Sequence, residues 1–397
     1  MSIWLRYGDR SERLDGLALF GRPPAVTPPR FALAARIWDS LGLTPDSIPT
    51  FEPHSWVEHA LAALPAGVKR VAVAAPRTQS TGCDALIAAL VAGLRARAIG
   101  ECEILRGGAA DRASLRDIGV TSAGTPVRLP AVWVEADWRI VLSGVAYDPL
   151  TGFNGGDDVV FPGLADPDAR KQNRLLALDA KGELRAECRP GVRGGNPVRI
   201  DLEAAAALSP ASWWIVALPV EPRDVDPASP SVPSLRVIQG ASPGAWKTAR
   251  DAHDERSRVE FTARPRLFVS DAGGAPDDAT LARACGSLLH AAEFVGDGGR
   301  LLFAASCAEG IELGPDPVLS PWKAATLRRS SARATVGLWS DLPSDPIARL
   351  GLVPITSRDE ALRFLAQSGA EPLWGWLPRA ERFLPAPGWR GGGARAD

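Results

Sequence analysis

Between Gly144 and Gly163 the chain reads Gly-Val-Ala-Tyr-Asp-Pro-Leu-Thr-Gly-Phe-Asn-Gly-Gly-Asp-Asp-Val-Val-Phe-Pro-Gly, and its only charged residues there are Asp148, Asp157 and Asp158. Carboxylates beside the amide of Asn154 suit a hard divalent cation such as Mg²⁺, Ca²⁺ or Mn²⁺, which makes the three aspartates a candidate metal site. The same side chains can instead cap the loop by accepting its backbone amides. Gly152, Gly155 and Gly156 permit backbone angles and close approaches that a β-carbon forbids. A glycine-built loop after a strand is where an α/β protein holds a ligand, so Gly155 and Gly156 are candidate ligand contacts. A phosphate is a poor fit, because Asp157 and Asp158 repel it. Arg77 and Arg283, on two other loops, can clamp a carboxylate through paired hydrogen bonds, or form ion pairs with these aspartates.

Histidine offers little alternative chemistry. The four are His54, His59, His253 and His290. His54 and His59 open a helix five residues apart, and so do not share a face. Five cysteines are widely spaced with no C-x-x-C pair, which speaks against a zinc ribbon or disulfide framework and fits a reducing compartment. A net charge of -1 gives no support for nucleic-acid or membrane-surface binding. The start of the chain lacks a signal peptide's basic and apolar regions. No apolar run approaches the ~18 residues of a membrane span. The expectation is a cytoplasmic protein.

The elements that must position these groups form an α/β pattern. Residues 69–75, 100–105, 138–143 and 212–218 read as strands, with a helix near 84–97 between the first two. A strand–helix–strand unit signals a parallel sheet. A linking helix is expected at 241–257. A second unit follows: a strand at 266–270, a turn at 271–278, a helix over 279–294 and a strand at 300–305, then a strand at 334–340 and a helix at 357–368. The expected architecture is two α/β domains with parallel-type sheets, spanning 1–257 and 258–384. Residues 385–397 lack apolar periodicity and read as a disordered tail. Loops 74–82, 144–163 and 271–283 are expected to face a cleft between the domains.

The chain resembles the lactate racemase family, whose active members racemise 2-hydroxy acids with a nickel pincer cofactor tethered to a lysine. The Gly144–Gly163 segment is similar to that family's G-x-x-x-P-H-x-x-x-G-F-S-G-G-x-K-x-x-x-P-G signature. Asp271-Ala-Gly-Gly-Ala-Pro-Asp-Asp278 resembles its G-G-x-P-x-D turn. Gly298-Gly299 and Ser306-Cys-Ala-Glu-Gly310 resemble its G-G … C-x-E-G element, and Tyr7-Gly8 and Gly351-Leu-Val-Pro354 also fit. The match lies in the order and spacing of these pieces.

The resemblance implies a catalytic set that this sequence does not carry. The family's nickel-binding histidine falls on Asp148 and its tethering lysine on Asp158. Its Asn-His pair becomes Asn173-Arg174, and its D-x-T-R turn becomes Ala74-Ala-Pro-Arg77. No histidine occurs in 100–125, where the acid–base histidine is expected. The Gln and Lys of a Y-Q-x-x-K stretch become Arg283 and Gly286, while Trp322 aligns with a tryptophan near the substrate. Aspartate is a hard ligand where nickel wants softer ones, and it has no amine for a covalent tether. The expectation is a divergent member that keeps the scaffold and a pocket for a small carboxylate or hydroxy acid, without nickel-pincer racemisation. A competent paralogue is the partner such a binding subunit would need. No cofactor is expected; the nickel pincer belongs here only if the loop aligns differently, with racemase activity retained. The alternative is an active racemase or epimerase of 2-hydroxy acids that uses Asp148 and Asp158, or a divalent metal, as catalytic groups.

Overall fold

The computed structural model describes residues 3–15, 53–76, 81–107, 114–220, 234–259, 264–312, 319–367, 374–377 and 379–385. The chain opens with the hairpin β1 (Ile3–Tyr7) and β2 (Arg10–Leu14). It continues through α1 (Pro53–Ala62), β3 (Arg70–Ala75), α2 (Thr81–Ala96), β4 (Glu101–Arg106), β5 (Leu115–Val120), β6 (Pro126–Pro130), α3 (Ala131–Glu135) and β7 (Trp138–Ser143). The loop region holds β8 (Ala146–Asp148), β9 (Gly152–Asn154), α4 (Asp157–Val160), α5 (Pro167–Leu175) and α6 (Pro197–Leu208). Then come β10 (Trp213–Val220), β11 (Ser234–Ala241), α7 (Gly244–Arg256) and β12 (Arg258–Val259). The second unit contains β13 (Leu267–Asp271), α8 (Leu281–Glu293), β14 (Gly299–Ala304), α9 (Pro321–Arg333) and β15 (Ala334–Trp339). It closes with α10 (Ser344–Arg349), β16 (Val353–Ile355), α11 (Arg358–Ala366), β17 (Trp374–Trp376) and β18 (Leu384–Pro385).

Two five-stranded sheets organise these elements, in the orders β11-β10-β7-β3-β4 and β16-β15-β14-β13-β17. The second sheet is parallel throughout. The first is parallel except at its edge, where β11 runs antiparallel to β10. Strands covered on both faces read as continuous apolar runs, and Val71–Ala75 and Leu267–Asp271 are buried along their length. The α/β class with parallel sheets is the one expected. Among the described residues no helix is long and apolar enough to cross a membrane.

Helix starts follow the local chemistry. Asp166 caps α5 by accepting from the amides of Asp168 and Ala169, with Pro167 at the first helical position. Asn196 caps α6 in the same manner, accepting from Arg199 ahead of Pro197. Thr280 caps α8 and Ser357 caps α11. Such caps satisfy amides that have no partner inside the helix.

The ends of the chain pack in an order that a cut at residue 257 does not describe. Ile3, Leu5, Tyr7 and Leu14 of the opening hairpin share a core with Leu267, Val269, Leu302 and Trp339 of the second sheet. At the other end, Leu384 enters the core of the first unit, where β18 pairs with β12. Residues 386–397 lie outside the described residues, as do 221–233 and Arg77.

Asp278 fastens the hairpin. Its Oδ2 accepts from the amide of Gly8 at 2.7 Å and from that of Ser306 at 2.9 Å, and its side chain is buried. Removing a carboxylate strands two amides as well as losing two charge-assisted bonds. Asp278→Ala is therefore expected to cost about 2–4 kcal/mol in urea unfolding and to open the 3–14 segment to protease. Unchanged stability with a protected hairpin would contradict this role.

Candidate functional site

The 144–163 loop runs from the carboxyl end of β7 into α4, and its own groups pair closely. Asp148 accepts from the amides of Leu150 at 2.8 Å and Thr151 at 2.7 Å, and the Arg174 guanidinium lies 3.9 Å away. Burial pushes its carboxyl pKa up, but Arg174 and the Thr151 and Leu150 amides outweigh burial and hold it below the usual value. Asp158 accepts from the Gly155 amide at 2.7 Å. Burial raises its pKa, against the pull of Arg199. Asp157 faces Arg199 at 3.6 Å. Its pKa rises to about 6 because burial, helped by Glu203 and Asp158, exceeds the opposing effects of Arg199 and Lys247.

The glycines pack rather than cradle. Gly155 and Gly156 adopt φ of 88° and 69°. A β-carbon at Gly155 would stand 2.0 Å from the Gly144 carbonyl, and one at Gly156 would stand 2.5 Å from the Trp246 ring. The Gly156 amide donates to Ser143 Oγ at 2.7 Å. Both amides are thus paired within the protein. Asp148 and Asp158 accept loop amides, while Asp157 pairs with Arg199.

Among the described residues no three His, Cys, Asp or Glu side chains gather so as to hold a metal ion. Asp148 serves the 150–151 amides, Asp157 the Arg199 guanidinium and Asp158 the Gly155 amide. Each has a different partner within the protein. Arg283 donates to the Pro276 carbonyl at 2.8 Å from an exposed position on α8, not to an aspartate. Trp322 packs on a core formed by Leu150, Leu184 and Cys188 with Leu289 and Ala325.

The sequence pointed less clearly to the groups around these residues. Arg199 is buried and stacks on Trp246, with its guanidinium carbon 4.0 Å from the ring centroid. Tyr147 lies between His253, at 4.9 Å between ring centroids, and His290, at 6.1 Å, and its hydroxyl donates to Asp254 at 2.9 Å. Burial lowers the pKa of both histidines to about 4, with Asp254 opposing the shift at His253 and Asp148 opposing it at His290. His290 also bonds to the Phe383 backbone, which opposes the shift. Its place four residues beyond Gly286, on the same face of α8, is the spacing signal that could have marked it.

Residues 90–184, which include the whole loop, match the model of the lactate racemase N-terminal domain. The chain superposes on the lactate racemase apoprotein of Thermoanaerobacterium thermosaccharolyticum with a TM-score of 0.68 and 15% identity, covering 97% of this chain and 100% of that one. The chain has the lactate racemase fold. A second solved structure, a protein from Thermotoga maritima, matches with a TM-score of 0.58 and 13% identity over 84% of this chain and 100% of that one. None of the curated proteins matches in sequence. The lactate racemase resemblance therefore stands, in sequence over 90–184 and in fold across the chain.

The nickel pincer group of that family is a poor fit for the residues present. At position 158 a carboxylate, already accepting the Gly155 amide, stands where the tether needs an amine. At 148 and 174 an aspartate–arginine pair stands where the resemblance places histidines.

Two pH effects follow, with opposite signs. A folded-state pKa of about 6 for Asp157, against an ordinary 3.8, means that the folded chain holds this proton more tightly. Its contribution to stability is present below 3.8 and is lost as pH rises through about 6. Asp157→Asn should stabilise the chain by about 2 kcal/mol at pH 7.5 and not at pH 4, read by urea unfolding. His290, depressed from 6.5 to about 4, contributes stability above 6.5 that is lost as pH falls towards 4. His290→Leu should flatten that acid limb. An acid limb as steep as the wild type's would contradict the assignment.

Proposed function

We propose that this chain is a divergent lactate racemase-fold protein that keeps the two-domain scaffold and binds a small carboxylate or hydroxy acid. Nickel-pincer racemisation is absent from its chemistry. The observation that carries this reading is the pairing at the tether position, where Asp158 accepts the Gly155 amide. A carboxylate cannot make the covalent link that a lysine amine makes. The Asp148–Arg174 pair supports the same conclusion, since an arginine has no lone pair to give a metal and aspartate is a hard ligand. Arg283, exposed at the start of α8, and Arg77 are the proposed contacts for a ligand carboxylate. A competent paralogue would supply catalysis to such a binding subunit.

A second reading, an active 2-hydroxy-acid racemase or epimerase with other acid–base groups, draws support from His290. That imidazole comes from the second sheet's unit, lies beside Tyr147 of the loop, and is neutral at pH 7 because burial lowers its pKa. A neutral imidazole can accept a proton.

Purification after co-expression with the enzymes that make the nickel pincer cofactor separates these readings. We expect an intact mass equal to that of the unmodified chain, sub-stoichiometric nickel, and no interconversion of L- and D-lactate by chiral chromatography. Stoichiometric nickel with a cofactor-sized mass increment would overturn the proposal. Racemisation without nickel that vanishes in His290→Gln would establish the second reading instead.

A further inference from the structure

The turn at 148–151 carries contacts that a ligand loop has no need of. Asp148 shapes it by accepting the amides of Leu150 and Thr151, and Thr151 Oγ1 donates to the Phe153 carbonyl at 2.8 Å. The turn then projects Pro149 and Leu150 against the second unit. Pro149 reaches α8 at Gly286, where an added β-carbon would meet the Pro149 ring at 3.4 Å. Leu150 is buried in one core with Leu184 and Cys188 on its own side and Leu289 and Ala325 on the other. A β-carbon at 286 would already be in van der Waals contact with Pro149, so a lysine there, as the resemblance has it, would add bulk at this contact.

A second set of contacts lies beside the first. From α9, Arg329 donates to the carbonyls of Leu184, Arg185 and Cys188. Its neighbour Arg328 donates to Glu183 at 2.8 Å and to the Gly182 carbonyl at 2.7 Å. Five acceptors on one short segment of the first unit are thus held by two adjacent arginines of the second. The apolar cluster lies between these bonds and the Pro149–Gly286 contact.

We infer that the 148–151 turn and the 182–188 segment together form an interdomain clasp, which locks the two domains in one closed arrangement without any ligand. Where a mobile cleft closes on its substrate, the domains need freedom to part; here a buried apolar seam flanked by hydrogen bonds opposes it. Gly286 is where the turn meets α8, and Asp148 is the residue that shapes the turn. The inference rests on packing alone and is independent of whether the chain binds a hydroxy acid.

Differential scanning calorimetry with small-angle scattering on the full chain tests it. The wild type should unfold in a single transition, and its radius of gyration should not change when either lactate enantiomer is added. Gly286→Lys should split the transition in two and expand the radius. Arg329→Ala, on the partly exposed side of the seam, should give the same split more mildly, which guards against a variant that fails to fold. Arg358→Ala, on a surface pair with Asp15, should leave the single transition intact. Two independent transitions in the wild type, lactate-dependent compaction, or a single unshifted transition in both Gly286→Lys and Arg329→Ala would overturn the clasp.

Discussion

Two backbone amides donating to the Asp148 carboxylate hold together both halves of the region described above. With Leu150 and Thr151 bonded to one side chain, the chain turns sharply enough to aim Pro149 and Leu150 at α8 and α9. The charge that makes these bonds strong must itself be neutralised in a part-buried setting, and Arg174 on α5 supplies the counter-charge. Charged groups taken out of water are tolerable only when paired or fully hydrogen-bonded. The turn, the α5 position and the interdomain seam therefore constrain one another.

The same logic recurs one step further along the loop. Asp157 and Asp158 begin a short helix beneath Arg199, whose guanidinium is sandwiched between that helix and the Trp246 ring. Gly156 lies against the ring so closely that no side chain fits. A stacked arginine over an aromatic face gains from the ring's charge distribution while keeping its edge for hydrogen bonds. Arg199 uses that edge on Glu203 and the Phe153 carbonyl. The loop is thus anchored below by Arg199 and above by Arg174, two cations whose partners are the aspartates that first suggested a metal.

The central strands of both sheets were legible because buried parallel strands leave continuous apolar runs, whereas the edge strands β11, β16 and β17 were not anticipated. Val71–Ala75 and Leu267–Asp271 announce themselves through such runs, whereas the helices at Asp166-Pro167 and Asn196-Pro197 went unread despite their capping residues. The lactate racemase resemblance was legible for a related reason: glycines and prolines that build turns leave fixed spacings. Partner choice was not legible. Nothing in local sequence says that Arg174 meets Asp148 from 26 residues away while Arg283 turns back to its own loop. The docking of the opening hairpin on the far sheet also escaped, since an amphipathic hairpin fits either apolar face. Composition alone suggested a cation site, whereas geometry gave each carboxylate its own donor.

The loop closes on itself through its own side chains and packs on the neighbouring domain through Leu150. Hydrogen exchange at the amides of Leu150, Thr151, Gly155 and Gly156 in the ligand-free chain tests it most directly. The account predicts that all four exchange as slowly as the central strand β3, because each donates to a side chain inside the protein and opens only with larger unfolding. Exchange of these amides within seconds, while β3 stays protected, would contradict it.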